Sequence, residues 1–306
     1  MQHRKTIVAT ALTVAFIITA ALSTLMRTTD EAACHDDGCR DDPRSRLAAI
    51  PPSPSRQLPD RRLSMEEVRE RIHPEVFQSL GAKSYQIARV GDIRPPGDAL
   101  AYVKERLAMS DSGDGLATFD IYLTVMDCKS QLGKSTHGPG DVGTPLPLGM
   151  VELQTMERKL RECSELYSDA GFMEGKWLAR AAQQGSIEAK LYYTIDTATV
   201  LGDPFERLNN PESIIAWKEN AATYLHDVAA TGNLDAVLRL SDAYDRGLIV
   251  QKNREMAYAY ALAANRIQPG LSAPITMRDL EEGLSIKQRE SAIALSRRIY
   301  SSCCEP

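Results

Sequence analysis

Glycines recurring in a fixed helical context constrain this chain more than any other feature. Trp177, Ala181, Ala182 and Gly185 recur as Tyr224, Val228, Ala229 and Gly232. Counting from Gly232, Ala236 falls at +4, Leu240 at +8, Tyr244 at +12 and Gly247 at +15, followed by Asn253 at +21, Ala257 at +25 and Tyr260 at +28. Steps of three and four place side chains on one face of a helix. The first helix therefore buries Ala236, Leu240 and Tyr244 and stops at Gly247, and a second starts at Asn253, whose side chain satisfies a free backbone N–H. From Gly185, Ala189 and Tyr193 occupy +4 and +8. A fainter unit starts at Gly113, 72 residues before Gly185, with Ala117 and Ile121 at +4 and +8, Val125 at +12 and Cys128 at +15, where its first helix is expected to end. The 47-residue step from Gly185 to Gly232 is one 36-residue unit plus an insertion, and LGDPFERLNN has the Gly, Pro and Asn content of an added loop.

Residues 177–189, WLARAAQQGSIEA, and 229–264, AATGNLDAVLRLSDAYDRGLIVQKNREMAYAYALAA, resemble Sel1-like repeats, relatives of tetratricopeptide repeats. The likeness covers about residues 173–265, fades over 98–172 and is absent upstream. Ser241, Ile249 and Asn253 depart from the Gly, Gly and Asp usual at +9, +17 and +21. The resemblance implies an all-α, right-handed α-solenoid of stacked antiparallel helix pairs that acts as an adaptor for a protein or peptide partner. Positions flanking the buried stripe of the first helices, Tyr192 and Asp196 and then Arg239 and Asp242, are the candidate groove contacts. Residues 276–300 would supply capping helices at the end of a repeat domain spanning 98–306.

The N-terminus points outside the cytoplasm. His3, Arg4 and Lys5 precede a mostly apolar run from Thr6 to Met26, long enough to span a bilayer, and the positive flank keeps residues 1–5 inside. A retained anchor over 6–26 and a signal peptide cleaved after Ser23 both fit. Residues 27–63, rich in Pro, Arg, Asp and Ser, read as a disordered tether. Ser64-Met65-Glu66-Glu67 is a capping box opening an N-terminal helical cap over 64–97, and a further helix is expected from Asp98 to Ala108.

Export makes the six cysteines disulfide candidates. Cys128 and Cys163, on neighbouring helices, form the expected pair. Cys303 and Cys304 are adjacent, a separation that disfavours a mutual bond, so a bridge elsewhere or between chains is expected. Cys34-His35-Asp36-Asp37-Gly38-Cys39 could hold a soft metal, but no second knuckle follows, so no metal or cofactor is assigned. The histidines (His3, His35, His73, His137 and His226) are scattered without a nucleophile motif, His226 reads as a helix-surface residue, and no small-molecule substrate or enzymatic site emerges. Glu157, Glu162 and Glu165 read as a solvated helix face, and Trp177 and Trp217 as packing residues. A net charge of −5 argues against nucleic acid as a partner. An envelope enzyme and a metal-binding protein remain the alternatives to the adaptor.

Overall fold

The computed structural model describes residues 63–136, 150–271 and 274–305. The apolar segment 6–26, nearly all of the tether, the Cys34–Cys39 cluster and His137 lie outside the described residues. Among the described residues no helix is long and apolar enough to cross a membrane.

The described residues form a stack of α-helices with one small hairpin. In order it comprises α1 (Met65–Arg69), a 3-10 turn (Pro74–Val76), strands β1 (Phe77–Ser79) and β2 (Tyr85–Ile87), α2 (Ala99–Asp111), α3 (Gly115–Thr136), α4 (Met150–Tyr167), α5 (Ala170–Met173) and α6 (Trp177–Gln183). Then come α7 (Ile187–Tyr193), α8 (Thr197–Leu201), α9 (Pro204–Asn209), α10 (Pro211–Ala230), α11 (Leu234–Arg246), α12 (Arg254–Ile267), α13 (Pro274–Glu282) and α14 (Ile286–Cys303). The third repeat unit follows its local chemistry closely. Asn233 caps α11 by accepting the Ala236 N–H, Gly247 ends it in the left-handed conformation at φ 71°, and Asn253 caps α12 through the Met256 N–H.

Each helix pair covers the next, so four apolar clusters run along the stack. One joins α2, α3 and α4 through Val103, Ile121, Val125 and Leu166. A second joins α3, α6, α7 and α10 through Phe119, Leu178, Ala182, Tyr193 and Trp217. A third joins α7, α10, α11 and α12 with the N-terminal segment, and the fourth seats α13 and α14 on α12. Alanines pervade these contacts, which allows helix axes to approach closely. The two tryptophans pack here, with their indole N–H groups donating to the Phe172 and Tyr193 carbonyls.

Four expectations change. Cys128 does not end a helix, since cysteine has no preference for the left-handed turn that glycine makes; α3 continues to Thr136. Residues 64–97 form a mixed cap. After α1, whose Ser64–Glu67 capping box is intact, the chain makes an antiparallel hairpin pairing Phe77 with Ile87 and Ser79 with Tyr85. The inserted LGDPFERLNN is largely helical, because Pro204 sits at the first position of α9 and Asp203 and Glu206 close a capping box. Cys303 and Cys304 bond to each other with Cα atoms 3.7 Å apart, as α14 ends between them and Cys304 leaves helical geometry. Cys128 and Cys163 join α3 to α4 with Cα atoms 5.6 Å apart.

Candidate functional site

The helices α3, α7 and α11 each follow a register glycine, and one edge of each meets the N-terminal segment. The register that selected Tyr192 and Arg239 also places Asp120 at +7 from Gly113, and one turn earlier Glu188 and Asp235 at +3 from Gly185 and Gly232. These side chains do not face solvent. The segment from α1 to Gly97 lies across them as a strap.

The strap crosses the helices by pairing its backbone and cations with their carboxylates. The Ile187 N–H donates to the Arg71 carbonyl. Glu188, with a side chain only 1 % exposed, accepts from the His73 backbone N–H at 3.0 Å, from His73 Nδ1 at 2.6 Å and from Arg89 at 2.5 Å. The other ring nitrogen of His73 lies 3.1 Å from Asp120, which also pairs with Arg106 at 3.2 Å. At the third unit the hairpin docks on the start of α11: the Tyr85 N–H donates to the Gly232 carbonyl and the Ile87 N–H to Asp235 at 3.0 Å. The chain then returns past Glu188 to the first unit, where Arg94 pairs with Glu162 at 3.0 Å and Asp92 lies 3.7 Å from Lys159.

The electrostatics follow from this crowding. Burial alone would lower the His73 pKa, but hydrogen bonds and charge from Asp120 and Glu188 outweigh it and raise the group to about 10. Burial pushes the Glu188 carboxyl up, and the His73 and Arg89 contacts reverse that, holding it below the usual carboxylate range. His73 is therefore an imidazolium clamped between two carboxylates. Among the described residues no hydroxyl or thiol is in its hydrogen-bond set, and the clefts lined by Asp92, Arg94 and Glu162 and by Arg71, Gln184 and Ser186 both exclude it.

Apolar anchors accompany the polar ones. Val68, Ile72, Val76 and Tyr85 are at most 1 % exposed and share a core with Ile187, Leu191, Leu225, Leu234 and Leu240. At about 2 kcal/mol for each fully buried large side chain, they contribute roughly 8 kcal/mol of gross stabilisation. That is comparable to the whole stability of a typical domain, about 5–15 kcal/mol. The strap is thus part of the fold, not a bound ligand.

The sequence-derived groove residues meet different fates. Tyr192 is half-buried with its ring edge-on to Phe119 and near Tyr122. Asp196 caps α8 through the Thr199 N–H and accepts the Tyr122 hydroxyl at 2.6 Å. Arg239 turns inward to the Leu191 carbonyl and the Thr194 hydroxyl. Of the four only Asp242 is exposed, paired with Arg246 one turn on. Three of these positions therefore contact neighbouring units, Arg239 adding a second donor to a Leu191 carbonyl that already accepts the Thr194 N–H. Glu162 likewise leaves the solvated face assigned to it and holds Arg94. His226 is half-buried beside the stacked rings of Tyr244 and Tyr260, whose hydroxyls lie 3.3 and 3.4 Å from its nitrogens. Burial lowers its pKa. His73, Arg89, Asp120, Glu188 and Asp235, the residues that organise the face, escaped the sequence reading.

No family model matches the chain, and no curated protein does. Among solved structures it is similar to a protective antigen present in uropathogenic Escherichia coli strains and displaying an SLR fold, at 15% identity with a TM-score of 0.28. The match covers 68% of this chain and 57% of that one, so the chain spans a little over half of its length. A likeness at that score carries no argument; the repeat assignment rests on the glycine register and the stacked helices.

Proposed function

We propose that this chain is a helical-repeat adaptor of the cell envelope, exported and held to the membrane by residues 6–26, that binds a protein or peptide partner without a cofactor. The supporting observation is the strap itself. The outward edges of successive repeat units accept an extended polypeptide through carboxylates that take backbone N–H groups and cationic side chains, the chemistry by which such a stack would read a partner chain. The buried His73 centre serves that cohesion, its ring held between Glu188 and Asp120 and apart from the two clefts described above.

The test is photo-crosslinking in cells of the full chain, with a reactive side chain placed singly at exposed Val90, Asp242, Leu248 and Ile215. A discrete polypeptide adduct from at least one position, lost in a Gly232→Val variant that unseats the strap, is expected. Absence of any adduct above background at all four positions would reject the adaptor reading. Membrane anchoring is checked separately: the folded part should be degraded by protease added outside the cytoplasmic membrane and remain in the membrane fraction after alkaline extraction.

A further inference from the structure

With the face of the first helices occupied by the strap, the surface left for a partner is best sought where the repeat departs from its own period. The insertion between the second and third units is closed by its own capping box, yet its helix α9 contributes no buried residue. Asp203 accepts the Phe205 and Glu206 N–H groups at 2.7 and 2.9 Å, and Glu206 returns the bond to the Asp203 N–H at 2.9 Å. No residue of α9 is buried. Phe205 is 77 % exposed, Leu208 78 % and Ile215, one helix later, 61 %. A six-residue helix gains too little from its own hydrogen bonds to persist for its own sake. Single exposed apolar side chains are ordinary, but three large ones within eleven residues, two of them spaced i, i+3 on α9, leave an uncovered apolar run along α9 and the start of α10, which we term the ridge.

Charge identifies the occupant. On α10, Glu212 and Glu219 stand three residues before and four after Ile215, hence on its face, and both are exposed outside the ion pairs of the described residues. From Asp203 to Glu219 the segment carries Asp203, Glu206, Glu212 and Glu219 against Arg207 and Lys218. Helices that settle on anionic lipid carry Lys and Arg around their apolar face, the reverse of this pattern. A second copy meeting the ridge about a two-fold axis would set carboxylates against carboxylates. We infer that the ridge formed by Phe205, Leu208 and Ile215, bordered by Glu212 and Glu219, is the docking site for a cationic amphipathic helix of a partner protein. The inference rests on the adaptor reading and gives it a location.

The experiment is hydrogen–deuterium exchange of the full chain in zwitterionic micelles, with a synthetic Leu/Lys amphipathic helical peptide as probe and its Leu/Glu counterpart as control. At a peptide concentration about ten times its Kd, exchange across residues 203–219 is expected to slow about tenfold. The effect should vanish in the Phe205→Ser/Leu208→Ser and Glu212→Lys/Glu219→Lys variants and persist in Leu248→Ser. As all four positions are exposed, the variants should melt as the parent does, which separates lost docking from lost folding. No protection at 203–219, or equal protection by the Leu/Glu peptide, would overturn the proposal. So would protection of the same residues by phosphatidylglycerol vesicles alone or by raised protein concentration, which would assign the ridge to lipid or to a second copy. A failure here with crosslinks forming at Asp242 or Val90 would leave the adaptor reading standing and remove only its location.

Discussion

Replacing His73 with Gln should change how stability depends on pH, and the sign follows from the geometry. The imidazole lies between Glu188 and Asp120, which raise its pKa from 6.5 to about 10 in the folded chain. Below pH 6.5 folded and unfolded chains both hold the proton, and the ion pairs contribute in full. Between 6.5 and about 10 the unfolded chain has lost the proton that the folded chain keeps, so each rise in pH favours unfolding until the folded group also titrates. At about 1.4 kcal/mol per pH unit the ceiling is about 5 kcal/mol. The ring is 13 % exposed and Arg89 approaches its Nδ1 to 3.4 Å, so solvent and a like charge both weaken the effect. An effective contribution of about 2–3 kcal/mol is expected.

Urea unfolding followed by circular dichroism at pH 6.0, 7.5 and 9.0 measures it. The parent chain should lose stability over this range by about 2 kcal/mol more than His73→Gln, while the variant should already be weaker at pH 6.0 because Glu188 loses a partner in a buried site. Parallel pH profiles for the two proteins would refute the reasoning, for they would mean that the strap is not held by a charged His73. His226 acts on the other side. Its burial lowers its pKa, so it contributes above pH 6.5 and the contribution is lost as pH falls through the lowered value. The parent should therefore be most stable near pH 6.5, with His226→Gln flattening the acidic limb alone.

Gly232→Ala should destabilise by about 3 kcal/mol or more, since φ is 89° and an added Cβ would stand 2.0 Å from the Lys83 carbonyl oxygen of the strap. A fall in melting temperature of about 6–12 °C is the corresponding readout, and an unchanged melt would contradict the strap's placement. Glu188→Ala should cost about 3–5 kcal/mol by leaving His73 and Arg89 buried against each other, measured by urea unfolding at pH 7. Cys128→Ser/Cys163→Ser should lower stability by about 3–4 kcal/mol on the loop-entropy account, and an equal response of parent and variant to a reductant would contradict it. Alkylation before reduction should leave the tryptic peptide holding Cys303 and Cys304 unmodified and lighter by two hydrogens than its dithiol form; a peptide cross-linked to another cysteine would contradict the vicinal bond.

The parts of this fold that could be read from the sequence are those decided within a few residues. Asn233, Gly247 and Asn253 act on backbone groups three or four positions away, so their residue types alone place both ends of α11 and the start of α12. The strap was hidden for the opposite reason. His73 finds Glu188 115 residues away and Ile87 finds Asp235 148 away, and no local pattern distinguishes such partners from ordinary surface charges. A signal did exist: extending the +7 register to the faint unit gives Asp120, and moving one turn back gives Glu188 and Asp235. Arg239, a candidate groove contact by its spacing, lies inward instead, donating to the Leu191 carbonyl and the Thr194 hydroxyl, partners 48 and 45 residues away that no local spacing reveals. The insertion is largely helical because its glycine, proline and asparagine, loop formers by composition, include an Asp-Pro-x-Glu run that is equally a helix start.

The strap also bears on what the N-terminal tether can do. In the proposed anchored arrangement, force or restraint from the membrane enters the repeat domain at Leu63 and meets α1 and Val68, Ile72, Val76 and Tyr85 before reaching any repeat helix. Those anchors touch the second and third units together, and Arg94 fixes the same segment to the first through Glu162. One covalent segment thus locks three units in register, in a fold where each unit otherwise contacts only its neighbours and could open separately. Polar pairing alone would not suffice, as the His73 pairs contribute less than the buried anchors; those apolar side chains supply most of the cohesion, and the carboxylates decide which helix each turn of the strap meets.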